Sequence, residues 1–293
     1  MPPVTARAQP RVVCYHQTHR DPDGAHISVL PLLTEASDVI GITHLILAAI
    51  HINHDPELIT LNDDPPDDPR NAPLWEEVQI FQDVGVKVLG MLGGAAQGSF
   101  ARLDQSEAAF ERYYRPLRDM IRRHGLDGLD LDVEEEMSLA GIIRLIDRLR
   151  ADFGPSFIIT MSPVATALQG QPHLSGFDYE ALEVMRGSSI DFYNVQFYNN
   201  WGQLSDLMGY RAILAHGWPP EKVVVGVLTN PGNGHGWIPL QELQRTLTAL
   251  AQYNHRFGGV MGWEYFNSMP GDRQRPWEWA EVMMKTVTLK NSQ

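Results

Sequence analysis

Short apolar runs rich in β-branched residues recur along the whole chain and alternate with segments of helical period. The runs are Arg11–Tyr15, Thr43–Ile52, Val86–Leu92, Leu126–Val133, Phe157–Pro163, Ile190–Tyr198, Lys222–Leu228 and Gly258–Tyr265. They predict eight strands. After the third run, Phe110, Tyr113, Leu117, Met120 and Ile121 recur at three- and four-residue steps. After the fourth, Leu139, Ile142, Ile143, Ile146 and Leu149 do the same, with Ser138 placed to cap a helix. After the seventh, Leu240, Leu243, Leu247 and Leu250 form one stripe. Each stripe has the period of a helix laid over a sheet.

Eight strands alternating with helices in 293 residues predict a single-domain α/β chain. The expected architecture is a (β/α)8 TIM barrel over residues 11–288, with tails at 1–10 and 289–293. A doubly wound open sheet is the alternative, weakened because no glycine-rich nucleotide fingerprint follows the first strand. The Asp- and Pro-rich stretch Asn62–Pro73 reads as a loop.

The fourth run breaks the apolar pattern in a regular way. It reads Asp127-Gly128-Leu129-Asp130-Leu131-Asp132-Val133-Glu134. Alternate residues of a strand share a face, so Asp130, Asp132 and Glu134 point one way and Leu129, Leu131 and Val133 the other. In a barrel the leucines and valine belong under the helices. The carboxyls then climb the interior toward the C-terminal mouth, where such barrels carry their sites. Burying like charges in a row is costly and is not explained by stability. Their titrations couple, so a proton shared between Asp130 and Asp132 and a raised pKa on Glu134 are expected. A raised carboxyl pKa suits a general acid. Glu135 and Glu136 read as solvated charge. A divalent-cation site is the other reading of the run, but no His or Asn within it completes a coordination shell. No metal or cofactor is expected.

Composition narrows the partners. The net charge is −13, which disfavours nucleic acid and suits a neutral substrate. Hydrophobic content of 43% and charged content of 20% are ordinary for a globular chain. The single cysteine, Cys14, excludes an internal disulfide and reads as a small core residue. No apolar stretch is long enough to span a membrane. The first ten residues lack the apolar centre of a signal peptide, and the compartment stays open between secreted with the signal removed and cytosolic.

The octapeptide resembles the D-G-x-D-x-D-x-E signature of glycoside hydrolase family 18 at every fixed position. Other segments agree in order. Lys87–Gly94 looks like that family's third-strand motif ending in Gly-Gly. Met161-Ser-Pro163 resembles its fifth-strand motif, Gln196-Phe-Tyr-Asn199 its sixth, and Gly262-Trp263 its eighth-strand tryptophan. Two positions depart: Val133 stands where chitinases often carry Trp, and Met91 replaces a small residue. Residues 258–268 and the run ending in Glu135 look most like the fungal endo-β-N-acetylglucosaminidases of the family.

The resemblance implies a retaining, substrate-assisted hydrolysis of the N,N′-diacetylchitobiose core of N-glycans. Glu134 is the implied acid and base, Asp132 orients the substrate's acetamide, Asp130 supports Asp132, and Tyr198 donates to the acetamide carbonyl. Gln196, Asn199 and Trp263 are implied substrate contacts. Tyr15, His51, Met161 and Glu264 are further candidates, at or near strand ends. The expected partners are N-glycans of glycoproteins or N-acetylglucosamine oligomers, met by a monomer. Two alternatives remain: a chitinase using the same chemistry, and a non-catalytic glycan-binding relative. The second is weakened by the presence of both Glu134 and Asp132.

Overall fold

The computed structural model describes residues 10–35 and 40–288. The expected tails lie outside the described residues, apart from Pro10. The strands are β1 (Arg11–His16), β2 (His44–Ile52), β3 (Ile59–Leu61), β4 (Lys87–Gly93), β5 (Gly128–Asp132), β6 (Ile158–Met161), β7 (Phe192–Gln196), β8 (Val223–Leu228) and β9 (Gly259–Trp263). The helices are α1 (Pro31–Thr34), α2 (Ala72–Asp83), α3 (Ser99–Leu103), α4 (Glu107–His124), α5 (Leu139–Phe153), α6 (Tyr179–Arg186), α7 (Met208–Ala215), α8 (Leu240–Tyr253) and α9 (Trp277–Thr288).

Every strand except β3 pairs in parallel, and β9 returns to β1, closing the barrel foreseen from the alternation. Each of the eight predicted runs overlaps one of these parallel strands, with β1 and β4 each running one residue past the predicted end. β3 was not foreseen: it is three residues long and pairs antiparallel with the upper end of β2. A run this short carries no legible period. β3 ends just before the expected loop Asn62–Pro73, whose last two residues already form the start of α2.

The core has two layers. Inside the ring lie Val13, Ile46, Leu89, Met91, Phe192, Val224 and Met261. Outside it, Leu129, Leu131 and Val133 of the acidic run pack with residues of the helices, as alternation required. Cys14 is buried on that outer side, and burial pushes its thiol pKa up.

Caps account for the helix boundaries at the site. Ser138 accepts from Gly141 N at the start of α5, and Ser106 accepts from Ala109 N at the start of α4. α4 ends at Gly125, in the left-handed region at φ 62°. One stripe residue is corrected: Tyr114, fully buried, faces the core on α4, and its neighbour Tyr113 is half-buried. Adjacent tyrosines both fit a three/four spacing, so the sequence pattern could not separate them. Gly128 opens β5 because a side chain there would meet the Ile158 carbonyl at 2.2 Å.

Candidate active site

Register sets the lower layer of the site. Asp130 on β5 lies beside Thr160 on β6, and both point inward. Tyr15 from β1 and Asn194 from β7 reach the same carboxylate across the barrel. Thr160 Oγ1 donates to Asp130 Oδ1 at 2.5 Å and Asn194 Nδ2 donates to the same oxygen at 3.2 Å. Tyr15 Oη and Ser162 Oγ each donate to Oδ2 at 2.7 Å. Burial raises the Asp130 pKa, and these four bonds pull against that rise.

The expected proton shared between Asp130 and Asp132 is not what forms. Both oxygens of Asp130 are taken, and no hydrogen bond joins it to Asp132 among the described residues. Asp132 is linked instead to Glu134. Gln196 Nε2 lies 3.1 Å from Asp132 Oδ1, 3.2 Å from Glu134 Oε1 and 2.9 Å from the Ser162 carbonyl. An amide nitrogen has two hydrogens for these three acceptors. Burial drives the Asp132 pKa well above the carboxylate range, and the charges of Glu134 and Asp130 add to the rise. Burial also raises Glu134, and the Gln196 amide opposes it.

Glu134 sits beyond the last residue of β5, at the mouth, and remains partly accessible while Asp130 and Asp132 are buried. Tyr198 is buried after the end of β7. Burial first, then the charges of Asp132, Glu134 and Asp130, push its phenol pKa well up. Its hydroxyl therefore stays protonated, facing the carboxyl column. Trp263 ends β9 half-buried, its ring 5.5 Å from that of Tyr15.

Other sequence candidates fall in different places. Met161 is fully buried on the outer side of β6 among helix-facing residues such as Leu131 and Val195. Its assignment to the site is corrected: Thr160 and Ser162, its neighbours in sequence, are the inward residues. Tyr15 is buried and its hydroxyl is committed to Asp130, so it supports the carboxyl column from below. Glu264 is 5% exposed, and its oxygens accept from Gln17 N, Thr18 N and Thr18 Oγ1. It therefore anchors the loop after β1.

Asn199 is exposed in the left-handed region at φ 53°. It pairs by backbone and side chain with His235, tying the loops after β7 and β8. His51 is half-buried near the end of β2, and burial lowers its pKa.

Thr160 and Asn194, polar residues inside apolar strands, and Ser162, just past the end of β6, were not among the candidates from sequence. Alternation from Asp130's neighbours could have found them. Glu135, which is 8% exposed and not solvated, was not among the candidates either.

The profile of Glycosyl hydrolases family 18 matches residues 11–283. The chain belongs to glycosyl hydrolase family 18. Among solved family 18 structures, a fungal endo-β-N-acetylglucosaminidase superimposes with a TM-score of 0.92 at 50% identity, covering 95% of this chain and 98% of that one. A chitinase from Aspergillus fumigatus superimposes at 0.87 with 58% identity, covering 94% and 98%. Chitinase 2 of Rhizopus oligosporus is 29% identical over 64% of this chain and 35% of its own length. The chain spans little more than a third of the length of such curated relatives.

Proposed function

We propose that the chain is a retaining endo-β-N-acetylglucosaminidase that cleaves the β-1,4 bond of the N,N′-diacetylchitobiose core of N-glycans. The observation that carries this reading is the column Asp130–Asp132–Glu134, linked at its upper end by Gln196, with Tyr198 and Trp263 beside it. The column offers one accessible carboxyl with a raised pKa and no second carboxylate placed as a nucleophile. Family 18 is among the substrate-assisted exceptions to the two-carboxylate scheme, and the arrangement suits that route.

Glu134 protonates the leaving oxygen while the substrate's acetamide oxygen attacks the anomeric carbon. The product is an oxazolinium with the leaving sugar released. Asp132 accepts the acetamide N–H and balances its developing positive charge. Tyr198 donates to the acetamide oxygen and aligns it for attack. Glu134, now ionised, takes a proton from water as that water opens the oxazolinium. Trp263 supports the sugar face. Asp130, bound by its four donors, supports Asp132 from below. The proton that Asp132 holds at rest passes to Glu134 as the acetamide N–H docks, leaving Asp132 ionised and Glu134 the acid.

The 58% identity to the Aspergillus fumigatus chitinase favours a second reading, chitin oligomers cut by the same chemistry. Incubation with an N-glycoprotein and, separately, with chitin oligomers separates the two. Glycan release leaving one N-acetylglucosamine on the protein supports the first reading, and cleavage of chitin oligomers alone supports the second. Glu134→Gln should lower either activity by about 10²–10⁴-fold. Near-normal hydrolysis by that variant would sink both.

A further inference from the structure

Glu135 follows Glu134 directly and has no part in the chemistry above. Its carboxylate is nonetheless buried, and none of the ion pairs among the described residues includes it. Its partners are backbone N–H groups across the mouth. Gly98 N donates to both oxygens at 2.8 and 2.9 Å, Phe100 N to Oε1 at 2.9 Å, and Ala101 N to Oε2 at 3.4 Å. A buried carboxylate without a cation is costly, and among the described residues these N–H groups offset it. Filling space would need no charge.

Glu134 needs an anchor of this kind. β5 ends at Asp132, so no strand pairing holds the backbone that carries Glu134. The surrounding ties come from loops. Gly94 N donates to the Asp132 carbonyl at 2.9 Å, Ser175 Oγ to the Val133 carbonyl at 2.7 Å, and Gln97 Nε2 to the Glu134 carbonyl at 3.4 Å. The Glu135 clamp adds contacts to three N–H groups and fixes the residue that shares a peptide bond with Glu134. It also joins Glu134 to the loop after β4. That loop lies so close against β5 that a side chain at Gly93, at φ 95°, would come within 2.5 Å of the Asp132 carbonyl.

We propose that Glu135 is a positioning residue: its clamp on Gly98, Phe100 and Ala101 holds the backbone of Glu134 so that the Glu134 carboxyl meets the leaving oxygen. The proposal rests on the reading of Glu134 as the acid. A carboxyl displaced by about an ångström loses on the order of 10²-fold in rate without a matching loss of binding.

The test compares Glu135→Ala, Glu135→Gln and Glu134→Gln with the parent chain. It uses whichever of the two substrates the parent chain cleaves, the N-glycoprotein or the chitin oligomer, well below each variant's unfolding midpoint. Glu135→Ala should lower kcat by about 10- to 100-fold while KM changes by no more than about twofold. Glu135→Gln keeps one acceptor oxygen and should recover part of that loss. If the alanine variant does not fold, the glutamine variant carries the test through its own fall in kcat. Parent-like kcat in the Glu135 variants beside an inactive Glu134→Gln overturns the proposal alone. So does a loss that falls on KM instead. An active Glu134→Gln overturns the reading of Glu134 and the proposal with it.

Discussion

Asp132 carries the strongest conflict at the scale of single residues. It is 6% exposed, flanked by two other carboxyls, and its side chain receives one hydrogen bond among the described residues, from Gln196. Its folded pKa lies well above its usual value of 3.8. The folded chain therefore holds a proton that the unfolded chain releases. The stability that proton supplies is lost as pH rises from about 3.8 through the raised folded value. Asn has nearly the same shape and cannot ionise. Asp132→Asn should raise the thermal unfolding midpoint at neutral pH, and the gap should close as pH is lowered toward 3.8. The same variant should lose hydrolysis yet still transfer a preformed sugar oxazoline, because it no longer polarises the acetamide. A parent-like hydrolysis rate would assign Asp132 another role.

At the scale of elements, the loop after β1 sets a different pH limit. His16, the last residue of β1, is fully buried, with its ring 4.8 Å from that of His19 and edge-on to Tyr265. Burial drives His16 well below its usual value of 6.5, aided by His19 and His26. Burial also lowers His19 to about 4. Below pH 6.5 the unfolded chain gains protons that the folded chain refuses. Stability should then fall as pH drops from about 6.5 toward 4, by at most about 1.4 kcal/mol per pH unit per histidine. Unfolding midpoints across that range should show it, and His16→Phe should flatten the slope. An unchanged slope would show that His16 contributes nothing.

The same scale explains what the sequence could reveal. Strands and helices were legible because each buries one face against a neighbour, so periodicity survives in the chain. The carboxyl column was legible for the same reason. Met161 and Thr160 were not separable, because β6 is four residues long and its facing depends on register with β5. Glu135 was read as solvated because its partners, residues 98–101, lie far away in sequence. No local pattern announces a contact of that kind.

For the whole molecule, the two ends of the barrel do different work. The mouth holds the buried carboxyls. At the base, Arg11 lies 4.5 Å from the centre of the Phe192 ring and donates to the Glu221 carbonyl at 2.8 Å. His44 meets the same ring edge-on. Arg11→Ala removes the cation over the ring and the charged hydrogen bond. It should cost about 1–3 kcal/mol of stability, read by denaturant unfolding. KM and kcat measured well below the midpoint should stay near parent values, and a large kinetic change would mean that the ends are coupled.

The pairing of β2 has a consequence for solubility. β2 follows β1 only as far as Leu47, which pairs with His16, and above that point the two strands part. A ring that unzips at its rim exposes a raw sheet edge, the feature through which chains recruit one another into aggregates. Here the edge is sealed twice. Asn62 covers Ala49, donating from its backbone N–H to the Ala49 carbonyl and accepting from Ala49 N, while its side-chain amide donates to the Gln17 carbonyl. β3 then pairs with Ile50–Ile52. The rim can gape between its first two strands without becoming adhesive. Loops there are free to vary in length, provided that this small latch stays in place.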